Sequence, residues 1–188
     1  MAKCKWCDKS GLFFSVNNMG LCKNCAPAVT MEVTNKQRII KESLELVEKS
    51  KKLDTKLHRF DLAIEKLREL EKYELRGISF FAEPPSQICR ELMGKKDEVI
   101  VAGLEEELQK AEKKAEAAAT TKTAVNALTK VLENAAEMKP QAIDPAPIAN
   151  MELDIRAKLD SLKYQGFLEE AKKAEFKNQK KEGTRSIS

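Results

Sequence analysis

Two closely spaced cysteine couples near the start of the chain constrain its folding more than any other feature. Cys4-Lys5-Trp6-Cys7 is followed, after fourteen residues, by Cys22-Lys23-Asn24-Cys25. Two intervening residues let one tight turn aim both sulfurs at a single point, and two such turns complete a tetrahedron. Cys4, Cys7, Cys22 and Cys25 are therefore the expected ligands of one structural Zn2+ ion, with a disulfide pair or free thiols as the alternatives. A closed four-thiolate site keeps no coordination position for water, so no catalysis is expected there.

Between the couples, Leu12 to Val16 is short, apolar and β-prone. Asn17-Asn18 suits a tight turn, and Gly20-Leu21 leads back toward the second couple, so the pattern predicts a small β-hairpin. Ala26-Pro27-Ala28 follows Cys25, and proline fits the first turn of a helix, where a missing N–H costs nothing. Knuckle, hairpin, then knuckle at a helix N-terminus resembles the treble-clef zinc fold, as in the second half of a LIM-type module. The residues carrying the resemblance are Cys4, Cys7, Gly11, Gly20, Cys22 and Cys25. It spans about the first thirty residues and implies a fold and a metal rather than a task, because treble clefs serve protein binding, nucleic-acid binding and pure structure. Asp8 and Ala26 stand where a rubredoxin-like iron site carries glycine, which speaks against that alternative. Residues 1–33 are read as the zinc domain.

The rest reads as helix. Charged residues make up 34% of the 188 and aromatics only 5%, a profile of long amphipathic helices. A helical stretch is expected to reach Arg76 and to stop at Gly77, with a break signalled by the capping-box pattern Thr34-Asn35-Lys36-Gln37. Leu46, Ser50, Leu53, Leu57, Phe60, Ile64 and Leu67 step alternately by four and three, a coiled-coil seam over three heptads. Leu62, Leu70 and Tyr73 widen that stripe toward a bundle face. Two prolines break the pattern near 77–86, where Phe80 and Phe81 are expected to plug the end of a bundle. Ser86 to Met93 reads as a short helix ended by Gly94, and helical signal resumes near Asp97. Leu104, Leu108, Ala111, Ala115 and Ala118 form a narrow face, and the threonines from Thr120 mark a kink or a new cap. The helical region is thus 34–138, with 139–149 a proline-rich linker, 150–182 a C-terminal helix capped by Asn150, and 183–188 a disordered tail. Tyr164 to Ala171 resembles a lone tetratricopeptide helix, without the repeat such an array needs. The fold class is mostly α: a small zinc domain followed by helices in an antiparallel coiled coil or bundle.

For function, the sequence excludes more than it names. His58 is the only histidine, so no Ser-His-Asp or Cys-His set can form, and no glycine-rich phosphate loop is present. No enzyme is expected. No apolar run spans a bilayer and no signal region precedes the first cysteine, which points to the cytoplasm, without membrane attachment. The odd cysteine, Cys89, reads as a buried structural thiol. A protein partner engaged by the zinc knob or helical arm is the favoured expectation, the chain being a monomer or a homodimer through its helices. Nucleic-acid binding is the rival. The net charge is a mild +4, yet Lys5, Lys9 and Lys23 surround the metal site, and Trp6 offers a surface for stacking.

Overall fold

The computed structural model describes residues 2–185, with side chains through Lys177. It is mostly α-helical, and its helices pack in a manner consistent with a bundle. Among the described residues there are five α-helices: α1 (Cys25–Lys49), α2 (Leu53–Glu74), α3 (Pro85–Glu116), α4 (Thr121–Met138) and α5 (Ala146–Arg185). The chain divides into two compact units, one reaching Ile100 and the other starting at Val101. Helix α3 contributes to both.

In the first unit α1 and α2 form an antiparallel hairpin. The helix expected to run through the middle of the 46–67 seam instead ends at Lys49, and the chain reverses over Ser50-Lys51-Lys52. Ser50 has extended backbone (ψ 140°), and its hydroxyl accepts the Lys52 N–H at 3.1 Å, a local turn that competes with helix continuation. Thr34, where a break was expected, lies exposed inside α1. The seam positions Leu57, Phe60, Ile64 and Leu67 are buried, whereas Leu46 on the other side of the reversal is 39% exposed. Their partners on α1 are Val29, Val33, Ile40 and Ser43, also buried. These follow the same alternation of four and three, with Lys36 between Val33 and Ile40. Lys36 reaches out of the interface to Glu32 (2.5 Å) and Glu69 (2.9 Å).

The apolar segment after α2 turns back on the core. Gly77, at φ +65°, closes the helix end, Ile78 is buried, and the Phe80 ring stands edge-on to Tyr73 with centroids 6.0 Å apart. Glu74 accepts the Ser86 N–H (3.0 Å) and hydroxyl (2.7 Å), fixing the start of α3. Helix α3 then runs antiparallel to α2, with Lys96 on Asp61 at 2.6 Å and Cys89 and Leu92 buried. The expected short helix ending at Gly94 is not formed. A Cβ at Gly94 would meet nothing within 4 Å, and the helix passes through it because its neighbours Leu92 and Ile100 are held in the core. An interior glycine costs about 1 kcal/mol, which burial of one such side chain offsets.

The second unit is built from the last part of α3, α4 and α5. Asn134 of α4 bonds Glu107 of α3 at 2.8 Å, and Lys158 of α5 bonds Glu112 of α3. Lys139, just past α4, bonds Glu152 at 3.1 Å while Thr121 at the start of α4 lies against Gly166, so α4 and α5 run antiparallel. Its core is Leu104, Ala111, Leu128, Val131, Ala135, Ile148, Ile155 and Leu159. Thr120 caps α4 by accepting the Thr123 N–H at 3.2 Å. The proline-rich stretch is shorter than its composition implies. Lys139–Gln141 is a 3-10 turn, and α5 begins at Ala146 with Pro147 in its first turn. Asp144 accepts the Ala146 N–H at 3.0 Å there, in place of the Asn150 cap expected. Of the tail expected over 183–188, residues 183–185 continue α5 and 186–188 lie outside the described residues.

Candidate metal centre

The four cysteine sulfurs lie within 4.8 Å of one another and can hold a metal ion. Cys7 and Cys22 sulfurs are 3.9 Å apart. Tetrahedral metal–sulfur bonds of about 2.3 Å place sulfurs about 3.8 Å apart, and a disulfide needs about 2.05 Å. All four thiols are free, Cys4 and Cys22 buried and Cys7 and Cys25 half-buried. The donor set fits a thiophilic cation.

Both couples are built the same way. The backbone N–H groups of Trp6 and Cys7 turn onto the Cys4 sulfur, and those of Asn24 and Cys25 onto the Cys22 sulfur. Cys22 N–H also reaches the Cys4 sulfur at 3.3 Å, tying the couples together. Burial pushes the Cys4 thiol up, but the N–H donors of Cys7, Cys22 and Trp6 together bring it down to about 6. Cys22 is lowered chiefly by the N–H of Cys25. Cys25 is pushed up to about 12, first by the Cys22 thiol and then by burial and the other sulfurs. Four sulfurs this close cannot all carry charge alone, and a central cation removes that conflict.

The first couple closes on Asp8, which adopts the left-handed conformation (φ +61°) that glycine usually fills. Lys3 at 3.0 Å and Arg76 at 3.5 Å hold its carboxylate, and Lys3 first, then Arg76, keeps it below the usual range. The second couple runs straight into α1, with Cys25 and Ala26 N–H groups on the Cys22 carbonyl at 3.0 and 2.9 Å. The expected β-hairpin between them is absent. Isolated bridges, Lys3 to Ser10 and Val16 to Cys22, take its place. Gly11 accepts the Phe14 N–H at 3.3 Å, so the chain curls over 11–14 and leaves no extended arm to pair. Asn17 organises the return: its side-chain oxygen accepts from Met19 (3.1 Å) and Leu21 (2.9 Å). Gly20 has φ +78°, and a Cβ there would lie 2.6 Å from the Lys5 side chain, so this position requires glycine.

The side chains singled out around the cysteines separate into two groups. Trp6 stacks on Tyr73 with centroids 4.9 Å apart, and the Arg76 guanidinium sits 5.1 Å from its ring. Arg76 also donates to the Trp6 carbonyl at 2.7 Å, and Lys5 donates to the Gly77 carbonyl. Lys5 and Trp6 thus dock the first couple onto the end of α2. Lys9 and Lys23 instead line, with Phe13, Phe14, Cys7 and Cys25, a cleft of about 240 Å³ that neither Lys5 nor Trp6 enters. Leu12 is 85% exposed and Phe13 fully so.

Sequence reasoning missed Tyr73, Arg76 and Glu32 as supports of the site. Tyr73 donates to Glu32 at 2.6 Å, which also takes Lys72 at 2.6 Å. Lys36 first, then Lys72 and Tyr73, hold the Glu32 carboxyl down at about 2. Partners some seventy residues distant from Trp6 leave no local signal; only the place of Tyr73 beside the apolar stripe marked it as inward-facing. No helix among the described residues is long and apolar enough to cross a membrane. The chain matches no protein-family model, no curated protein and no solved structure.

Proposed function

We propose that residues up to about 33 form a treble-clef-like module around one structural Zn2+ held by Cys4, Cys7, Cys22 and Cys25, and that it serves a non-catalytic adaptor. Order along the chain supports the module: knuckle, turn, knuckle, helix N-terminus. Zinc is favoured over iron by the non-glycine knuckle positions and over disulfides by four free thiols, which also favour a reducing compartment such as the cytoplasm. The ion would supply folding energy and no chemistry, because four thiolates close its coordination shell.

The observation that carries the adaptor reading is the exposed pair Leu12 and Phe13 at the tip of the module. Phe14, Val16 and Met19 beside them pack against the core. A fully exposed phenylalanine next to an exposed leucine, rimmed by Lys9 and Lys23, has the composition of a small docking surface for a protein. The second reading, nucleic-acid binding, draws on those same two lysines beside the cleft. Trp6 adds less to it, since its ring is already stacked on Tyr73.

The two readings part in one experiment. Under the adaptor reading, immobilised zinc-loaded protein captures its partner protein in the presence of nuclease, and the pair Leu12→Ser and Phe13→Ser abolishes capture while one metal equivalent stays bound. Lys9→Glu with Lys23→Glu changes capture little. Binding to mixed DNA or RNA that falls steeply with salt and is lost in the lysine variant would replace the adaptor reading with the other.

A further inference from the structure

Helix α5 carries two apolar faces. One, through Ile148, Ile155 and Leu159, is buried against its own unit. The other lies on the opposite side at about 100° per residue and is uncovered: Leu153 is 61% exposed, Tyr164 65% and Phe167 70%. Leu153, Ala157, Asp160, Tyr164, Phe167 and Ala171 step by four, three, four, three and four, and each of them is exposed. That is a seam with no occupant inside the chain.

We propose that this face of α5 is the seam of an antiparallel homodimer, its occupant a second copy of this chain. The proposal goes beyond the docking role of the zinc module and does not rest on it. The stripe is complementary to its own reverse. In an antiparallel pair whose axis passes near Leu162, Leu153 lies over Ala171 of the second copy and Ala157 lies under Phe167. Asp160 meets Tyr164, whose hydroxyl can donate to the carboxylate. Every layer then sets a large side chain on a small one, or a donor on an acceptor, and the two-fold axis repeats each contact. A parallel pair would stack Phe167 on Phe167 and Ala157 on Ala157 and would juxtapose two Asp160 carboxylates.

The flanking charges agree. In the antiparallel register Arg156 faces Glu170, and Glu170 faces Arg156. Arg156 is 53% exposed, and Glu152, its ion-pair partner at 3.6 Å, is also held by Lys139 at 3.1 Å, so Arg156 can turn outward without leaving that carboxylate unpaired. The one unfavourable contact is Lys163 near its own copy at the axis, on an exposed flank where water and salt screen it. The seam expected over 46–67 cannot serve this purpose, since Leu57, Phe60, Ile64 and Leu67 are consumed within the first unit.

Sedimentation equilibrium of the full zinc-loaded chain from about 1 to 100 µM tests the proposal. The expected mass rises with concentration toward twice the 21.2 kDa of one chain. Phe167→Glu, at an exposed position, should weaken association at least tenfold with unchanged helical circular dichroism. Arg156→Glu should weaken it less, and Arg156→Glu combined with Glu170→Arg should restore it. A mass of one chain throughout, a dimer indifferent to Phe167→Glu, or failure of the charge swap to restore association would each overturn it.

Discussion

Each of the two units is held together internally by its own kind of contact. In the first, residues about seventy apart in sequence carry the decisive interactions: Trp6 on Tyr73, Arg76 on the Lys5 and Trp6 carbonyls, and Lys5 on the Gly77 carbonyl. Four cysteines cluster at the edge of an apolar core that includes Cys4, Leu21, Val33 and Leu67. In the second unit neighbouring helices meet through small and apolar residues, with Ala111, Ala124 and Ala135 buried. A Cβ at Gly166 would stand 2.9 Å from Thr121, so glycine lets α5 approach the start of α4. One region depends on a polar clamp beside the candidate metal centre, drawn from residues far apart in the chain, and the other on shape. Removing the clamp should therefore damage the first unit and spare the second.

The largest expected effect follows from the metal. Under the zinc reading proposed above, Cys4→Ser or Cys22→Ser should release one metal equivalent and remove a large share of the roughly 10–16 kcal/mol that structural zinc supplies to isolated finger peptides. Because Cys4, Leu21 and Cys22 belong to the same core as α1 and α2, the loss should extend into the hairpin. Amide exchange resolves the outcome: protection should fall in residues 2–49 and persist in α4. Equal loss in both units would erase the contrast between them.

A pair of core truncations sharpens it. Leu67 and Leu128 are 0% and 2% exposed, and changing either to alanine should cost about 2–5 kcal/mol. If the units unfold separately, Leu67→Ala lowers protection only in the first and Leu128→Ala only in the second. A single coincident transition for both variants would show that α3 couples the units into one cooperative block.

The smallest effect lies in the charge network of α1 and α2. Glu32 and Glu69 are held at about 2, Glu32 chiefly by Lys36 and Glu69 chiefly by Lys66. Folded values below the unfolded one mean stabilisation that is complete above about pH 4.5 and is lost as pH falls toward 2. Both side chains are more than a third exposed, so screening holds each contribution to about 1 kcal/mol or less. The stability difference between the wild type and Glu32→Gln, measured by urea unfolding, should be present at pH 6 and vanish near pH 2. A difference that grows on acidification would reverse the assigned sign.

How much of this was legible beforehand depends on whether the signal is local. The paired cysteines were readable because two-residue spacing is itself the geometry of a knuckle, and long helices were readable from heptad spacing and composition. The Leu57–Leu67 stripe faced inward as its period implied. Helix ends were less legible. The capping-box pattern at Thr34 lost to the burial of Val33 and Ile40 around it, and Gly94 lost to Leu92 and Ile100. Ser50 sat at a seam position, where its hydroxyl closed a turn instead.

What the sequence determined by itself, then, is the donor set of the candidate metal centre, the helical class, and which side of most helices is apolar. Each of these is encoded in short-range spacing along the chain. Tertiary structure alone decided that the chain reverses at Ser50–Lys52, that Trp6 is stacked on Tyr73, and that one apolar stripe of α5 stays outside. Those outcomes depend on which faces find partners, and partners are chosen by competition for burial among segments far apart in the chain. A periodic pattern states that a face is apolar; only packing states what covers it.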